Sequence, residues 1–295
     1  MTQNSFQIQL PATSANLGLG FDSMGLALAK FLTVSARPSQ QWHFSFGQQD
    51  LEHLPHDQTN LVAQAAIYTA QKKGVEMPPL AVEMTSQIPL THGLGSSSSA
   101  IVAGVILADH FCQLELSRED KVKIATALEG HPDNVGPCIT GGVFIGGMHQ
   151  DQVYYENLDL GDLGLVLSVP PYEVPTQEAR RVLPDTYEKG LAIQQNALNN
   201  VMVLALLKQD YQKVGKLMMA DAFHQPYRQS LIPEFGPIRD HALNRGAYST
   251  VISGAGPTIL TLCPPAMAED LVKSLQVVFP SCHHEVTAAY PLQTP

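Results

Sequence analysis

Residues 88–100 read Ile-Pro-Leu-Thr-His-Gly-Leu-Gly-Ser-Ser-Ser-Ser-Ala, and an apolar run over residues 101–108 follows directly. Glycine allows tight turns and lets a backbone approach a ligand closely. The first turn of a helix has unpaired N–H groups and the positive end of the helix dipole, and both attract phosphate. The stretch therefore predicts a phosphate-binding loop at the start of a buried helix over residues 97–110.

A flexible linker is the alternative, since segments rich in glycine and serine often serve that role. The flanking sequence favours an ordered loop, because residues 82–88 are rich in apolar and β-branched side chains and predict a strand that ends at Pro89. The loop lacks the lysine of the P-loop pattern Gly-x-x-x-x-Gly-Lys-Ser/Thr. If ATP binds here, the loop therefore belongs to another class of phosphate loop.

The composition indicates a globular protein and argues against two classes of partner. The chain has 295 residues, of which 44% are hydrophobic and 15% charged, so a large core and two domains are expected. A formal net charge of −10 argues against nucleic acid or an anionic membrane as the partner. The longest apolar stretches fall short of a membrane span. A polyanionic ligand would need local help from the glycine loop, from Mg²⁺ or from particular arginines.

The cysteines indicate a reducing compartment. No two of the four cysteines have Cys-x-x-Cys spacing; they are Cys112, Cys138, Cys263 and Cys282. The N-terminal residues show no secretory signal. We therefore expect a cytoplasmic protein without structural disulfides or zinc.

Periodicity predicts how the two halves are organised. Residues 31–36 and 42–46 have strand patterns, and we predict a hairpin around Pro38. Ser117 and Asp120 have the spacing of a helix capping box. The second half follows the order strand, helices, strand, turn, strand, helix, strand, which is typical of an α+β domain rather than a doubly wound sheet. We place the domain boundary near residue 158.

Four segments, in this order, resemble the GHMP kinase superfamily. They are residues 11–25, 89–100, 131–134 and 253–257, and the second fits the pattern Pro-x-x-x-Gly-Leu-Gly-Ser-Ser-x-Ala closely. Within the superfamily, residues 11–22, 129–135, 174–180 and 226–233 are similar to the branch whose acceptor is the amino acid L-homoserine. The resemblance implies transfer of phosphate from ATP to the L-homoserine hydroxyl, in threonine biosynthesis.

The resemblance also implies a fold class. That fold is an α+β, two-domain GHMP kinase fold, with a domain of the ribosomal protein S5 domain 2 type over residues 1–158 and a ferredoxin-like domain over residues 159–295.

The resemblance implies where ATP binds. Its phosphates are expected on the glycine loop, with a second glycine turn closing over them from the other domain. The expected residues are Pro89, Leu90, Thr91, His92, Gly93, Leu94, Gly95, Ser96, Ser97, Ser98 and Ser99 in the loop, and Gly254 and Gly256 in the turn. Because that turn lies between two predicted strands, a simple tight turn is the alternative for it.

The resemblance implies a Mg²⁺ site beside the phosphates. A serine of the loop, Ser97 or Ser98, should face the ion, and a carboxylate should be its second ligand. Superfamily members place that glutamate further ahead of their Asp-Asn pair, at a position that Lys123 occupies here. Glu129 is the nearest candidate, and the alternative for Glu129 is a solvent-facing residue at a helix end.

The acceptor offers an ammonium, a carboxylate and a hydroxyl. Arg180 and Arg228 can supply the two-pronged donor that a carboxylate favours, although arginines are often simply solvated surface residues. Asp22 can pair with the ammonium. Asn16 and His131 can hydrogen-bond the polar ends, and a purely structural hydrogen bond is the alternative for His131.

Asp133 and Asn134 are the catalytic candidates. An aspartate near the hydroxyl can act as a general base. Some GHMP kinases pair it with a lysine of the N-terminal motif, whereas residues 11–25 have none and Lys30 is the first lysine of the chain. We therefore favour in-line transfer with direct stabilisation of the transition state, and Asp133 with Asn134 as a structural turn.

Two other functions stay open at this stage. Another GHMP kinase, acting on a mevalonate-type or sugar acceptor, would share the loop. A non-catalytic small-molecule sensor on the same fold would keep the pocket and lose the metal ligand. The family often forms homodimers, so a homodimer is also an expectation.

Overall fold

The computed structural model describes residues 5–293, which form two β-sheets with helices packed on them. The strands are β1 (Phe6–Ala15), β2 (Met24–Pro38), β3 (His43–Phe46), β4 (Leu80–Ser86), β5 (Val143–His149), β6 (Gln152–Leu158), β7 (Gly164–Val169), β8 (Ser249–Ile252), β9 (Ile259–Cys263) and β10 (His283–Thr287). The α-helices are α1 (Leu61–Lys72), α2 (Ser96–Cys112), α3 (Arg118–Glu129), α4 (Pro132–Thr140), α5 (Thr176–Arg181), α6 (Lys189–Leu207), α7 (Tyr211–Met218), α8 (Gln225–Arg228), α9 (Phe235–Asn244) and α10 (Ala268–Val278).

The first sheet has the order β3-β4-β2-β5-β6, and β1 pairs with β2. The hairpin predicted around Pro38 is wrong, because β3 pairs in parallel with β4 and not with β2. The long β2 takes β4 as its antiparallel neighbour over Leu32 to Pro38. In the short β3 only Phe44 is buried, so this strand suits the edge of the sheet.

The helix after the glycine loop lies in the core. Val102, Val105 and Leu107 of α2 are fully buried. α1 packs tightly against α2 at Gly104, where an added Cβ would lie 2.4 Å from the carbonyl oxygen of Val62. The middle of α2 is therefore closely packed against α1 in the core. The capping box of α3 is confirmed, because the Ser117 side chain accepts from the Asp120 N–H and the Asp120 side chain accepts from the Ser117 N–H.

The second sheet has the order β10-β7-β9-β8, and every neighbouring pair is antiparallel. This order, with the helices between β7 and β8 and α10 between β9 and β10, is the ferredoxin-like arrangement, so the predicted α+β order is confirmed. The chain after β10 returns to the first sheet, where the Ala29 N–H donates to the Ala288 carbonyl at 2.9 Å. β6 ends at Leu158 and β7 begins at Gly164, and the domain limits 1–158 and 159–295 stay predictions.

Between residues 5 and 293, no helix combines the length and the apolar character needed to cross a membrane.

Candidate active site

A cleft lies between the first turn of α2 and the elements of the second half. It holds Ser96, Ser97 and Ser98 together with Arg180 and Arg228, so the phosphate loop and both arginines share one cavity. The other residues that line it are Ala15, Asn16, Asp22, Thr91, Gly93, Gly95, Glu129, His131, Asp133, Asn134, Thr176, Gly254 and Ala255.

Two glycines of the loop occupy backbone conformations that other residues rarely adopt. Gly93 and Gly95 have φ values of 73° and 72°, in the left-handed region. A Cβ on Gly93 would lie 2.3 Å from the Ser253 carbonyl oxygen, and one on Gly95 would lie 2.0 Å from Thr13 Oγ1. Gly95 is the N-cap of α2 and has no side chain to cover the first-turn N–H groups. These N–H groups are therefore available to an anion in the cleft.

The Asp-Asn pair lies in a second helix start beside the loop. His131 is the N-cap of α4 and Pro132 is its first residue, a position that suits the fixed φ of proline. Asp133 and Asn134 belong to the first turn of this helix, and their predicted structural role stays a prediction. Asn134 is held by Thr13, whose Oγ1 donates to Asn134 Oδ1 at 2.8 Å.

A hydroxyl and a carboxylate meet in the cleft. Ser98 Oγ donates to Glu129 Oε1 at 2.7 Å. Burial raises the pKa of Glu129, and the Ser98 hydrogen bond only partly offsets this effect. Glu129 therefore lines the cleft instead of facing solvent, and its charge would be stabilised by a cation. A hydroxyl and a carboxylate oxygen are ligands of the kind that Mg²⁺ prefers, so the two residues fit such an ion.

His131 and Asp133 form a close pair. His131 Nδ1 is hydrogen-bonded to Asp133 Oδ1, and Asp133 is only 1% exposed. Burial raises the pKa of Asp133 despite the His131 contact. Burial lowers the pKa of His131, but the hydrogen bond and the charge of Asp133 outweigh it, so this pKa lies above its ordinary value. Asp22 is close by, since one ligand atom from each of the three lies within 4.8 Å of the others.

Arg180 and Asp22 form an ion pair across the cleft. Arg180 Nη2 donates to Asp22 Oδ1 at 2.9 Å, and Nη1 donates to Oδ2 at 3.2 Å. Arg180 comes from α5, while Asp22 lies between β1 and β2. The pair therefore joins the two halves of the fold.

Arg228 is buried and connects three segments. It is 3% exposed, and its Nε donates to the Ala179 carbonyl at 3.2 Å while its Nη1 donates to the Gly254 carbonyl at 2.8 Å. The Gly254 carbonyl also accepts from Asn16 Nδ2 at 3.0 Å. Burial, together with the charge of Arg180, lowers the pKa of Arg228 to about 10. The guanidinium is thus held in one orientation at the cleft.

Some of the residues predicted to bind ATP do not line this cleft. Leu94 is a core residue at 1% exposure, and the Ser99 hydroxyl donates to the Ser96 carbonyl at 2.9 Å. Gly256 does not line the cleft but lies against the loop, because a Cβ on Gly93 would come 2.8 Å from the Gly256 carbonyl oxygen. The remaining three line a second cleft; they are Pro89, Leu90 and His92.

The sequence analysis did not predict two polar residues of the site. Thr13 belongs to the N-terminal motif, where only Asn16 and Asp22 were singled out, so its position in that motif was the available signal. Thr176 lines the cleft one turn before Arg180 on α5. It belongs to the segment 174–180, where only Arg180 was predicted to bind, so its position in that segment was the available signal.

Comparison with known proteins first shows the class of protein to which this chain belongs. The family models for the GHMP kinases N terminal domain and the GHMP kinases C terminal domain match residues 60–142 and 202–279. A homoserine kinase of Staphylococcus epidermidis is 43% identical over 284 residues, which covers 95% of this chain and 93% of the relative. A homoserine kinase of Staphylococcus aureus is 41% identical over 288 residues, covering 96% of this chain and 94% of the relative.

A solved structure supports the same family assignment. The homoserine kinase of Cytophaga hutchinsonii superposes with a TM-score of 0.87 at 28% identity, covering 98% of this chain and 96% of that protein. The chain therefore belongs to the GHMP kinases and, within them, to the homoserine kinase family.

Proposed function

We propose that the protein uses ATP to phosphorylate the side-chain hydroxyl of L-homoserine, giving O-phospho-L-homoserine and ADP. The single observation that supports this most is the cleft shared by the first turn of α2 and two arginines. A triphosphate and the carboxylate of an amino acid can be held side by side there. Phosphoryl transfer depends mostly on such positioning and on neutralising charge.

The triphosphate is proposed to bind the loop backbone at Gly93 and Gly95 and the first-turn N–H groups of α2. The second cleft, lined by Pro89, Leu90 and His92, adjoins this loop. It is the proposed place for the nucleoside, because a base and ribose extend beyond the phosphates and need an adjacent cavity. Gly254 and Ala255 face the loop from the second half.

Ser98 and Glu129 are the proposed Mg²⁺ ligands. Their oxygens are 2.7 Å apart at the phosphate end of the cleft. When bound, the ion would supply positive charge to the phosphate oxygens. The raised pKa of Glu129 supports this assignment, since a cation would offset the cost of burying the carboxylate.

The acceptor is proposed to bind between Arg180 and Asp22. Arg180, with Arg228 behind it, would hold the carboxylate, and Asp22 would hold the ammonium. Asn16 and His131 line the same cavity and can hydrogen-bond the polar ends. The acceptor hydroxyl would then point to the phosphates.

The transfer itself needs no strong base in this proposal. The acceptor oxygen forms a bond to the γ-phosphorus, while the bond from that phosphorus to the β,γ-bridging oxygen breaks and ADP leaves. The hydroxyl proton passes to a phosphate oxygen or to water. Asp133 already accepts a hydrogen bond from His131 and is almost fully buried, so it orients the ring of His131. Asn134, held by Thr13, faces the loop.

Asp133→Asn tests this role. We expect kcat to fall only a few-fold, because asparagine keeps an oxygen for the His131 Nδ1–H. General acid–base catalysis contributes up to about 10⁴-fold, so a loss of that size would establish Asp133 as the base instead. The measurement is the steady-state rate of ADP formation at saturating ATP and L-homoserine.

A panel of acceptor alcohols tests the function. With Mg²⁺ and ATP, we expect ADP and O-phospho-L-homoserine from L-homoserine, and at least 100-fold lower kcat/KM with mevalonate or galactose, since a polar site strongly rejects acceptors that leave its charges unpaired. Equal or better turnover of mevalonate or a sugar would favour the other GHMP activities. No product from any acceptor would favour a sensor. The homodimer and the cytoplasmic location stay predictions.

A further inference from the structure

Residues 288–293, which we call the return segment, add a further strand-like piece to the first sheet. Strand β2 pairs with β1 along one edge, and its other edge is shared by β5 at the start of the strand and β4 at its end. Between β5 and β4, the Ala29 N–H donates to the Ala288 carbonyl at 2.9 Å. The Tyr290 N–H donates to the Ala27 carbonyl at 2.8 Å. The return segment therefore fills the gap that β4 and β5 leave on β2.

The return segment also holds the end of α4. The Gln293 N–H donates at 2.8 Å to the carbonyl of Thr140, the last residue of α4. This carbonyl lies in the last turn of the helix, where it has no N–H donor within the helix itself. The Gly142 N–H, just beyond the helix, donates to the Tyr290 carbonyl at 2.8 Å. The return segment thus connects the end of α4 to β2.

α4 depends on outside contacts because it is a weak helix by itself. It has nine residues, and isolated helices of this length are marginal in water. Pro137 lies inside it and has no N–H to donate to the Asp133 carbonyl four residues earlier. Its N-cap is His131, and its first turn holds Asp133 and Asn134. A shift of α4 would therefore move three residues that line the cleft.

We propose that the return segment is a positioning element for phosphoryl transfer, which fixes α4 at the cleft from a place outside the cleft. The segment is attached mainly through its backbone, since the side chains of Ala288, Pro291 and Leu292 are exposed. Segments with few buried side chains open more easily than core strands, so its hydrogen bonds can be broken without disrupting the core. The inference rests on the proposed function for its activity measurement and on the contacts alone for its structural one.

Tyr290→Pro tests the proposal in the full chain. Proline removes the N–H that donates to Ala27, whereas Tyr290→Ala loses the same side chain, keeps that N–H and is the matched control. We expect the amides of residues 133–142 to exchange about ten-fold faster in Tyr290→Pro than in Tyr290→Ala, which is the effect of one or two backbone hydrogen bonds. The amides of β9, in the second sheet, should exchange equally in both. Hydrogen exchange followed by mass spectrometry measures both regions.

The activity of the same two variants tests the positioning role. We expect kcat of Tyr290→Pro to be about five-fold below that of Tyr290→Ala, because small displacements of positioned groups slow a reaction. KM for ATP should stay within about three-fold, since the glycine loop is held by contacts of its own. A merely structural role would lower the unfolding temperature and leave kcat of the folded protein equal in both variants, and that result would overturn the proposal.

Arg118→Gln loosens the return segment from its other end and decides the matter if Tyr290→Pro does not fold. Arg118 Nη2 donates to the Gln293 carbonyl at 2.8 Å, and Lys123→Gln, which removes a positive charge from the same helix, is its control. The amides of residues 133–142 should exchange about three-fold faster in Arg118→Gln than in Lys123→Gln, through the loss of one partly exposed hydrogen bond.

Two exchange results would contradict the proposal. One is equal exchange in α4 between Tyr290→Pro and Tyr290→Ala, and the other is a rise in α4 that β9 shares, which indicates a general loss of stability. Failure of the proposed function is a different observation, because the unchanged protein would then form no O-phospho-L-homoserine from Mg²⁺, ATP and L-homoserine. The exchange of α4 does not depend on that reaction.

Discussion

Gly95→Ala is expected to lower kcat/KM for ATP by about 100-fold or more, the loss typical when one stabilising donor of a reaction site is displaced. Gly95 has a φ of 72°, and its added Cβ would lie 2.0 Å from Thr13 Oγ1 and 3.2 Å from Asn134 Oδ1. Thr13 and Asn134 hydrogen-bond each other, so the collision would move the first turn of α2, the loop or the Asp-Asn helix. Each of these shifts displaces groups proposed to hold the triphosphate.

The chain supplies a matched control in Gly74→Ala. Gly74 has nearly the same φ, 74°, but a Cβ there would meet nothing within 4 Å. Both variants should therefore lose about 1–3 kcal/mol of unfolding free energy through backbone strain. Gly95→Ala should lose more because its Cβ also collides with Thr13, and only this variant should lose ATP turnover. Thermal unfolding and steady-state kinetics on the two proteins separate these effects. Equal activity losses in both would assign the effect to stability alone.

Glu129→Gln is expected to lower kcat by about 10³-fold, because a metal ion contributes several kcal/mol of charge stabilisation and glutamine supplies no negative charge to hold it. The amide oxygen can still accept the Ser98 hydrogen bond, so the local packing is kept. The Mg²⁺ concentration that gives half-maximal rate should rise as well. The measurement is the initial rate against Mg²⁺ concentration at saturating ATP and L-homoserine.

Stability distinguishes a lost metal ligand from a damaged fold. Since burial raises the pKa of Glu129, its ionised form is less favourable in the folded than in the unfolded chain at neutral pH. Glu129→Gln should therefore unfold at the same temperature as the unchanged protein or higher. Glu119→Gln, at the exposed start of the same helix, is the control and should leave the rate unchanged. A rate within three-fold of normal in Glu129→Gln would exclude the metal role.

Local patterns predicted much of the molecule. The glycine loop, the buried α2 and the capping box of α3 depend on neighbours within a few residues, and the structure confirms the helix and the capping box. The order of elements in the second half also follows from short-range periodicity. These features follow from the sequence because their energetics depend on adjacent residues.

The contacts between distant segments could not be predicted from the sequence. Strand β3 pairs with β4, which begins more than thirty residues later along the chain, and no local signal distinguishes that pairing from a hairpin with β2. Thr13 and Asn134 are 121 residues apart, and Asp22 and Arg180 are 158 apart. Such pairs form only when the core has already placed their elements.

The amino-acid sequence by itself determined the class of chemistry here, because an anion site needs only glycines, a helix start and small polar side chains in consecutive positions. Tertiary structure alone decided which distant polar groups meet in the cleft: Ser98 with Glu129, Thr13 with Asn134, and Arg180 with Asp22. The physical reason is distance. Electrostatic interactions and hydrogen bonds depend on spatial separation, and the packing of two sheets sets that separation independently of position along the chain.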